Sequence, residues 1–321
     1  MTQKQATLIF NPFAGITGGD GMLAKFQTFW SLFGWDVTVR PSEYTGHAIV
    51  LAREAADRGD DLVFAIGGDG TANEVANGLA GSETVMAVVP TGTANVLAKE
   101  LRIPMRRFTN PDWLLNVADI LVHGRVQAMD VGRTDDGRYW LLWASAGLDG
   151  MLIERIEPRS RFFKRFGMAG YAAKFIINLP QVRPMKADVW VDDQHVSGDY
   201  LMVTVSNCRL YAGGEVKLNA GGQLDDGLFE VFAFQGKGLL RAAEHSLKVG
   251  LQMHEYDAKV DVFKGETVRI ESEPSMAYHL DAEPSGRTPF ACTIQPGALR
   301  VLAPKAAPPT LFVKEGTPLL D

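Results

Sequence analysis

Leu62-Val63-Phe64-Ala65-Ile66-Gly67-Gly68-Asp69-Gly70-Thr71-Ala72-Asn73-Glu74 passes from an unbroken apolar run, through a glycine turn, into a helical stretch. An apolar run with no polar face reads as a strand covered on both sides, the habit of parallel sheets. Glycines let the turn reach positive φ and bring backbone close to a ligand. The free N–H groups and dipole of the helix that follows favour an anion such as phosphate. Thr71 can add a hydroxyl. Asp69 can add a carboxylate for Mg²⁺, a hard ion that prefers carboxylate and phosphate oxygens. The plain alternative is a capped turn between a strand and a helix. The stretch fits neither GxGxxG nor GxxxxGK[ST].

The flanking sequence repeats this rhythm. Ala6–Phe10, Trp35–Arg40 and Val85–Val89 read as strands; Met22–Phe33, Gly46–Arg58, Thr71–Leu79 and Ala94–Leu101 read as helices. Alternation of this kind predicts βαβ units around a mainly parallel sheet. An apolar helix, Trp113–Val122, follows Pro111-Asp112. Two more polar turns stand after strands: Asn11-Pro12-Phe13-Ala14-Gly15 and Pro90-Thr91-Gly92-Thr93-Ala94-Asn95. Open parallel sheets bind ligands beyond the carboxyl ends of their strands, so the three turns are expected to converge on one nucleotide site. A second Gly-Gly-Asp-Gly, at Gly18–Gly21, lies further from its strand, and Asp20 there reads as a helix N-cap.

Past His123-Gly124 the pattern changes. Val126–Val131, Tyr139–Ala144, Ala187–Val191, Tyr200–Ser206, Leu228–Phe232, Lys259–Phe263, Thr267–Ile270 and Phe290–Ile294 read as strands, interrupted by helices at Phe162–Leu179 and Gly238–Val249. The expected plan is an α/β domain over residues 1–124, a β-sandwich over 125–302, and a Pro-rich tail over 303–321 that packs back on the first domain.

Composition narrows the function. With 321 residues, two domains are the natural division. A formal net charge of −6 argues against a nucleic-acid partner. Two cysteines exclude a disulfide framework and a Cys-rich zinc site. No run reaches the roughly 18 apolar residues of a membrane span, and the N-terminus lacks a signal peptide's apolar stretch, so a cytoplasmic protein is expected.

With NPFAG, IGGDGTANEV and PTGTANVLAKEL in this order, the chain resembles the diacylglycerol kinase catalytic family, which includes bacterial lipid kinases and sphingosine kinases. Asp130-Val131-Gly132, Ala144-Ser145-Ala146-Gly147-Leu148-Asp149, Leu224-Asp225-Asp226-Gly227-Leu228 and Leu280-Asp281-Ala282-Glu283-Pro284 extend the resemblance over nearly the whole chain. The resemblance implies an α/β nucleotide domain with a β-sandwich behind it, and ATP with Mg²⁺ as cofactors. It implies that Gly67, Gly68, Asp69, Gly70, Thr71, Ala72 and Asn73 wrap the ATP phosphates. Asn11, Thr93 and Asn95 join them from the neighbouring turns. Ser42 stands where the family usually has a nucleotide-contacting Thr. Glu283 takes the place of the proton acceptor, beside Asp281, with Ala282 where the family usually has Gly. In the sphingosine kinase branch Asp69 would be the base instead. Asp226, with the carbonyls of Gln223 and Leu228, resembles a structural Mg²⁺ site; the plain reading there is an Asp-Gly hairpin turn.

Phosphoryl transfer needs an aligned hydroxyl, a metal across the phosphates and neutralised charge. A Glu283 buried beside Asp281 would be held above its usual range, which suits a base; read without the family, Asp281 and Glu283 form an exposed turn before Pro284. Lys99 is a further candidate for phosphate charge. Arg159–Gly167 mixes cations with aromatics, as a surface meeting anionic lipid would; a helix with snorkelling cations reads equally well. The expected partner is a lipid alcohol, diacylglycerol-like or sphingoid, met peripherally at a membrane surface. An edge strand in the β domain could pair two copies into a homodimer. An NAD kinase shares the Gly-Gly-Asp-Gly turn but not Pro-Thr-Gly-Thr-Ala-Asn or Asp-Ala-Glu, and a non-catalytic lipid or nucleotide sensor would lack Asp69 or Glu283. The six histidines show no metal-ligand spacing.

Overall fold

A computed structural model describes residues 3–12, 19–106, 110–156 and 184–320. The expected helix Phe162–Leu179, the segment Arg159–Gly167, and Phe13–Gly15 of the first turn lie outside them. Internal contacts divide the chain into two units. One comprises Met1–Asp130, Leu224–Asp226 and Pro296–Asp321; the other comprises Val131–Gln223 and Gly227–Gln295.

The first unit is built on four parallel strands, β1 (Lys4–Phe10), β2 (Trp35–Pro41), β3 (Leu62–Gly67) and β4 (Val85–Pro90), in the order β2-β1-β3-β4. Every residue of β3 and β4 is buried. Such strands can be apolar throughout because helices cover both faces. The helices are α1 (Gly19–Ser31), α2 (His47–Arg58), α3 (Asp69–Leu79), the short α4 (Val96–Glu100) and α5 (Trp113–Val122). Asp20 lies inside α1, which starts at Gly19, so it is not the N-cap that the sequence suggested. Phe26 and Trp30 of α1 meet Phe64 of β3 at ring separations of 4.9 and 4.7 Å, which anchors the helix by aromatic edge and tilted contacts.

The last segment completes this unit. Arg300 and Val301 pair in parallel with β4. The Asp225 carboxylate accepts the backbone N–H groups of Val313 and Lys314. The Leu319 N–H donates to the Gly124 carbonyl.

The second unit is antiparallel. Its strands and those shared by the chain with the first unit are β5 (Arg125–Thr134), β6 (Tyr139–Trp140), β7 (Trp143–Gly147), β8 (Met185–Val191), β9 (Gln194–Ser206), β10 (Leu210–Tyr211), β11 (Val216–Lys217), β12 (Phe229–Gln235), β13 (Val260–Gly265), β14 (Thr267–Glu273), β15 (Ala277–Leu280), β16 (Glu283–Arg287) and β17 (Phe290–Ala303). A short β18 (Thr317–Pro318) pairs with the start of β5 in the first unit. The long β9 serves two neighbourhoods: Gln194–Tyr200 pairs with β8, and Met202–Ser206 lies between β7 and β12. Apolar side chains from these strands, including Tyr200, Val203, Phe229, Val231 and Ile270, form one buried cluster. The helix α6 (Leu148–Ile156) follows β7, and α7 (Gly238–Gly250) follows β12. A Cβ at Gly150 of α6 would stand 2.1 Å from the Ala277 carbonyl oxygen, so only glycine lets α6 seat against β15.

Candidate active site

In the first unit the register pairs Phe10 with Ile66 and Gly67 with Pro90, so the turns that follow β1, β3 and β4 emerge side by side. Main-chain hydrogen bonds stitch them together. The N–H groups of Thr91 and Gly92 donate to the Gly67 carbonyl at 2.8 and 3.3 Å, and the Asn11 N–H donates to Ile66 at 3.3 Å. Ser42 adds the turn after β2: its N–H and its Oγ both donate to the Phe10 carbonyl, at 2.8 and 3.3 Å. This hydroxyl, expected at the nucleotide, thus has an internal partner.

Gly92 lies against Gly68 so closely that a Cβ on it would sit 2.6 Å from the Gly68 Cα. Asn95 closes the turn. It adopts φ 51°, accepts the Gly92 N–H on Oδ1 at 3.0 Å, and returns its amide to the Gly92 carbonyl at 2.7 Å. Asn95 is therefore a buried turn-former, whereas Thr93 is exposed.

The two carboxylates of α3 point at neighbouring helix starts. Asp69 Oδ1 accepts the N–H of Val96, the first residue of α4, at 2.6 Å. Glu74, for which the sequence suggested no role, accepts the N–H groups of Gly46 and Ala48 at the start of α2, at 2.9 and 3.2 Å. Each satisfies amides that have no partner within their own helix. Gly68, Asp69 and Gly70 keep partial exposure, while Thr71, Ala72 and Asn73 are buried. The first turn of α3 and the Gly92–Thr93 bend are thus the parts of these turns left at least partly exposed. The residues suit a triphosphate: glycine leaves a cradle that a side chain would fill, and backbone N–H groups need no counter-charge of their own. Mg²⁺ asks for one or two carboxylates plus phosphate oxygens, a set to which Asp69 can contribute.

In the second unit β15 and β16 form a two-residue hairpin with Leu280 paired to Glu283. Asp281 and Ala282 both have positive φ, 49° and 63°, the geometry of a type I′ turn. The exposed turn suggested by Pro284 is thus a strand junction. Asp281 is 6% exposed. Its carboxylate accepts the N–H groups of Leu141, Leu142 and Trp143 at 2.7, 2.8 and 3.2 Å, and its own N–H donates to Trp143. Glu283 differs from expectation in the opposite sense. Its side chain is 45% exposed and pairs with Arg138 at 2.6 Å, so the buried carboxylate of the pair is Asp281. Arg138 also reaches the Ser285 hydroxyl at 3.2 Å.

Behind the turn lies a buried polar group. His279 is fully buried and its Nε2 meets Asp149 Oδ2 at 2.8 Å. The Tyr211 hydroxyl donates to the same oxygen. The Ala282 N–H donates to His279 Nδ1 at 3.2 Å. Burial pushes the Asp149 carboxyl up, but His279, Tyr211 and Ser145 outweigh it and hold the group below its usual range. Burial, then the Asp149 charge, raises the Tyr211 hydroxyl far above its ordinary value.

Arg138 and Tyr211 carried no signal in the sequence, since an isolated Arg or Tyr in a turn has none. Asp149 stood in a quoted motif without a role. Asp226 belongs to the first unit, and Gln223 and Leu228 to the second. Among the described residues, no three His, Cys, Asp or Glu side chains cluster as a metal site.

Comparison with known proteins matches residues 5–134 to the model of the diacylglycerol kinase catalytic domain and residues 143–303 to the YegS C-terminal NAD kinase beta sandwich-like domain. A diacylglycerol kinase of Bacillus subtilis (strain 168) is 29% identical, over 89% of this chain and 92% of its own. A diacylglycerol kinase of Staphylococcus carnosus (strain TM300) is 26% identical, over 98% and 99%. A crystal structure of a diacylglycerol kinase from Bacillus anthracis str. Sterne superposes with a TM-score of 0.71 at 20% identity, covering 96% of this chain and all of that one, and shares the fold.

Proposed function

Because the chain belongs to the diacylglycerol kinase catalytic family, a family of lipid kinases, we propose that it transfers the γ-phosphoryl group of ATP to the hydroxyl of a diacylglycerol-like or sphingoid lipid. The observation that carries this reading is the row of stitched turns at the carboxyl ends of β1, β3 and β4. These bonds seat the glycine turn after β3 so that the partly exposed first turn of α3 stands beside the Gly92–Thr93 bend, where a helix N-terminus favours an anion.

In this scheme the exposed backbone of Gly68, Asp69 and Gly70 binds the phosphates, and Thr93 adds a hydroxyl. Asp69 would hold Mg²⁺, which would supply neutralisation of the phosphate charge. Glu283 accepts the proton of the lipid hydroxyl as its oxygen bonds to the γ-phosphorus and the bond to the β-phosphate oxygen breaks, giving ADP and a phosphomonoester. Arg138 holds Glu283 in one orientation. In this scheme Asp69, whose carboxylate also accepts the Val96 N–H, serves the metal rather than the proton transfer. Among the described residues no helix is long and apolar enough to cross a membrane. We place the enzyme in the cytoplasm, meeting its lipid peripherally.

The test is transfer of label from γ-³²P-ATP to a panel of lipid alcohols and to NAD. Glu283→Gln is expected to lower kcat by about a hundredfold while ATP binding stays within about twofold. Label in NAD and in no lipid, or an unchanged kcat for Glu283→Gln, overturns the reading.

A further inference from the structure

The turn that presents Glu283 is intrinsically unfavourable. Two successive non-glycine residues occupy the left-handed region, and Ala282 has no side chain with which to satisfy itself there. An L-residue pays about 1–2 kcal/mol for that conformation. The turn therefore needs outside support, and it has two supports. Asp281 ties one side to the amides of residues 141–143. His279 ties the other, by accepting the Ala282 N–H.

The histidine geometry is specific. Nδ1 faces a backbone N–H, so it is the acceptor nitrogen and carries no proton. The proton is then on Nε2, which donates to Asp149 at 2.8 Å. Asp149 is held in turn by the Tyr211 hydroxyl, and the neighbouring Ser145 and Thr204 hydroxyls share a 2.9 Å hydrogen bond. A line of contacts thus runs from Tyr211 through Asp149 and His279 to the peptide nitrogen immediately before Glu283. Asp149 enters from α6, which is seated on β15 by Gly150. Tyr211 enters from β10. His279 meets the turn only at the Ala282 backbone N–H, which suits a support better than a group that reacts.

We propose that His279, oriented by Asp149 and Tyr211, is a positioning residue that fixes the Asp281–Ala282 turn and thereby aims the Glu283 carboxylate. This rests on the reading of Glu283 as the proton acceptor.

Two amide side chains separate the contacts of the imidazole. His279→Asn keeps an acceptor near Nδ1 but is too short to reach Asp149. His279→Gln keeps a donor toward Asp149 and loses the acceptor for the Ala282 N–H. His279→Gln is expected to lower kcat by about tenfold or more, the scale of a displaced reacting group, with KM for ATP within about twofold. Ala282→Gly, which adopts the left-handed turn without support, is expected to recover at least about threefold of that loss when combined with His279→Gln. Tyr211→Phe preserves the ring packing and is expected to lower kcat by about two- to threefold, the scale of one neutral hydrogen bond or less.

The measurements are γ-³²P-ATP transfer into micelles of dioleoylglycerol or sphingosine, and amide hydrogen exchange at Ala282 in the full chain. Exchange at Ala282 should quicken by about tenfold in His279→Gln and to a smaller degree in Tyr211→Phe. Unchanged exchange in both variants overturns the proposal, and so does a kcat of His279→Gln equal to that of the wild type. A loss of kcat in His279→Gln that Ala282→Gly does not relieve overturns the role of the turn. If the wild-type protein labels no lipid, the kinase reading falls. Ala282 exchange then decides the support of the turn by itself, and an unchanged rate overturns it.

Discussion

The two regions that carry the proposed chemistry hold their turns by different means. In the first unit the backbone holds itself: the Gly67 carbonyl binds Thr91 and Gly92, Ile66 binds Asn11, and Phe10 binds Ser42. Side chains matter there mainly by their absence, as where Gly92 lies on Gly68. In the second unit the hairpin is held by side chains that contact distant backbone. Asp281 gathers three amides from residues 141–143, and His279 links the turn to Asp149. Turns held by main-chain bonds tolerate many surrounding sequences. A single aimed carboxylate depends on a particular set of partners.

The contrast breaks most sharply at Gly92. Gly92→Ala places a methyl group into Gly68 and is expected to lower kcat/KM for ATP by at least about a hundredfold. Thermal unfolding should change far less than activity; nucleotide titration with a fluorescent ATP analogue measures the difference. Asp281→Ala should behave in the reverse way. It leaves three backbone N–H groups without their acceptor and is expected to cost about 3 kcal/mol in urea unfolding, with ATP binding by the surviving folded protein unchanged.

A smaller effect, of opposite sign, is expected at Ala282. Glycine there removes a left-handed cost of about 1–2 kcal/mol and adds about 0.7 kcal/mol of unfolded-chain entropy. The net gain, about 0.3–1.3 kcal/mol, should appear as a higher urea midpoint at unchanged slope. An unaltered midpoint would show that the surrounding contacts already absorb the strain.

The least expected change lies in the acid limb of stability. The Asp149 carboxyl titrates below its usual range in the folded chain, so its contribution is complete above the unfolded carboxylate value, near 4, and fades as pH falls through the lower folded value. Asp149→Asn should flatten that limb below about pH 4 relative to the wild type. Parallel curves would show that Asp149 does not contribute there.

The sequence was legible in proportion to how local the cause was. β3 and β4 declare themselves through apolar runs, β2 through alternation, and the turns after β1, β3 and β4 through glycine and proline close behind them. Gly67–Gly70 could be read because one short segment supplies both strand and helix start. The hairpin at Asp281 was not readable in this way. β16 reads Glu-Pro-Ser-Gly-Arg, without the β-branched or aromatic residues that mark a strand, and Ala282 occupies a turn position where glycine is usual. Burial of Asp281 and exposure of Glu283 depend on residues 138–143, far away in sequence. The same holds for Glu74, whose partners open a helix that precedes its own.

The first unit is assembled from three separate pieces of chain, the last of them bearing Val313, Lys314 and Leu319. A ribosome emitting this protein therefore releases the sandwich before the sheet beneath the glycine turns has its closing partners. Co-translational folding is expected to finish the first unit last, so a nascent chain stalled before Pro296 would lack the contacts that complete it.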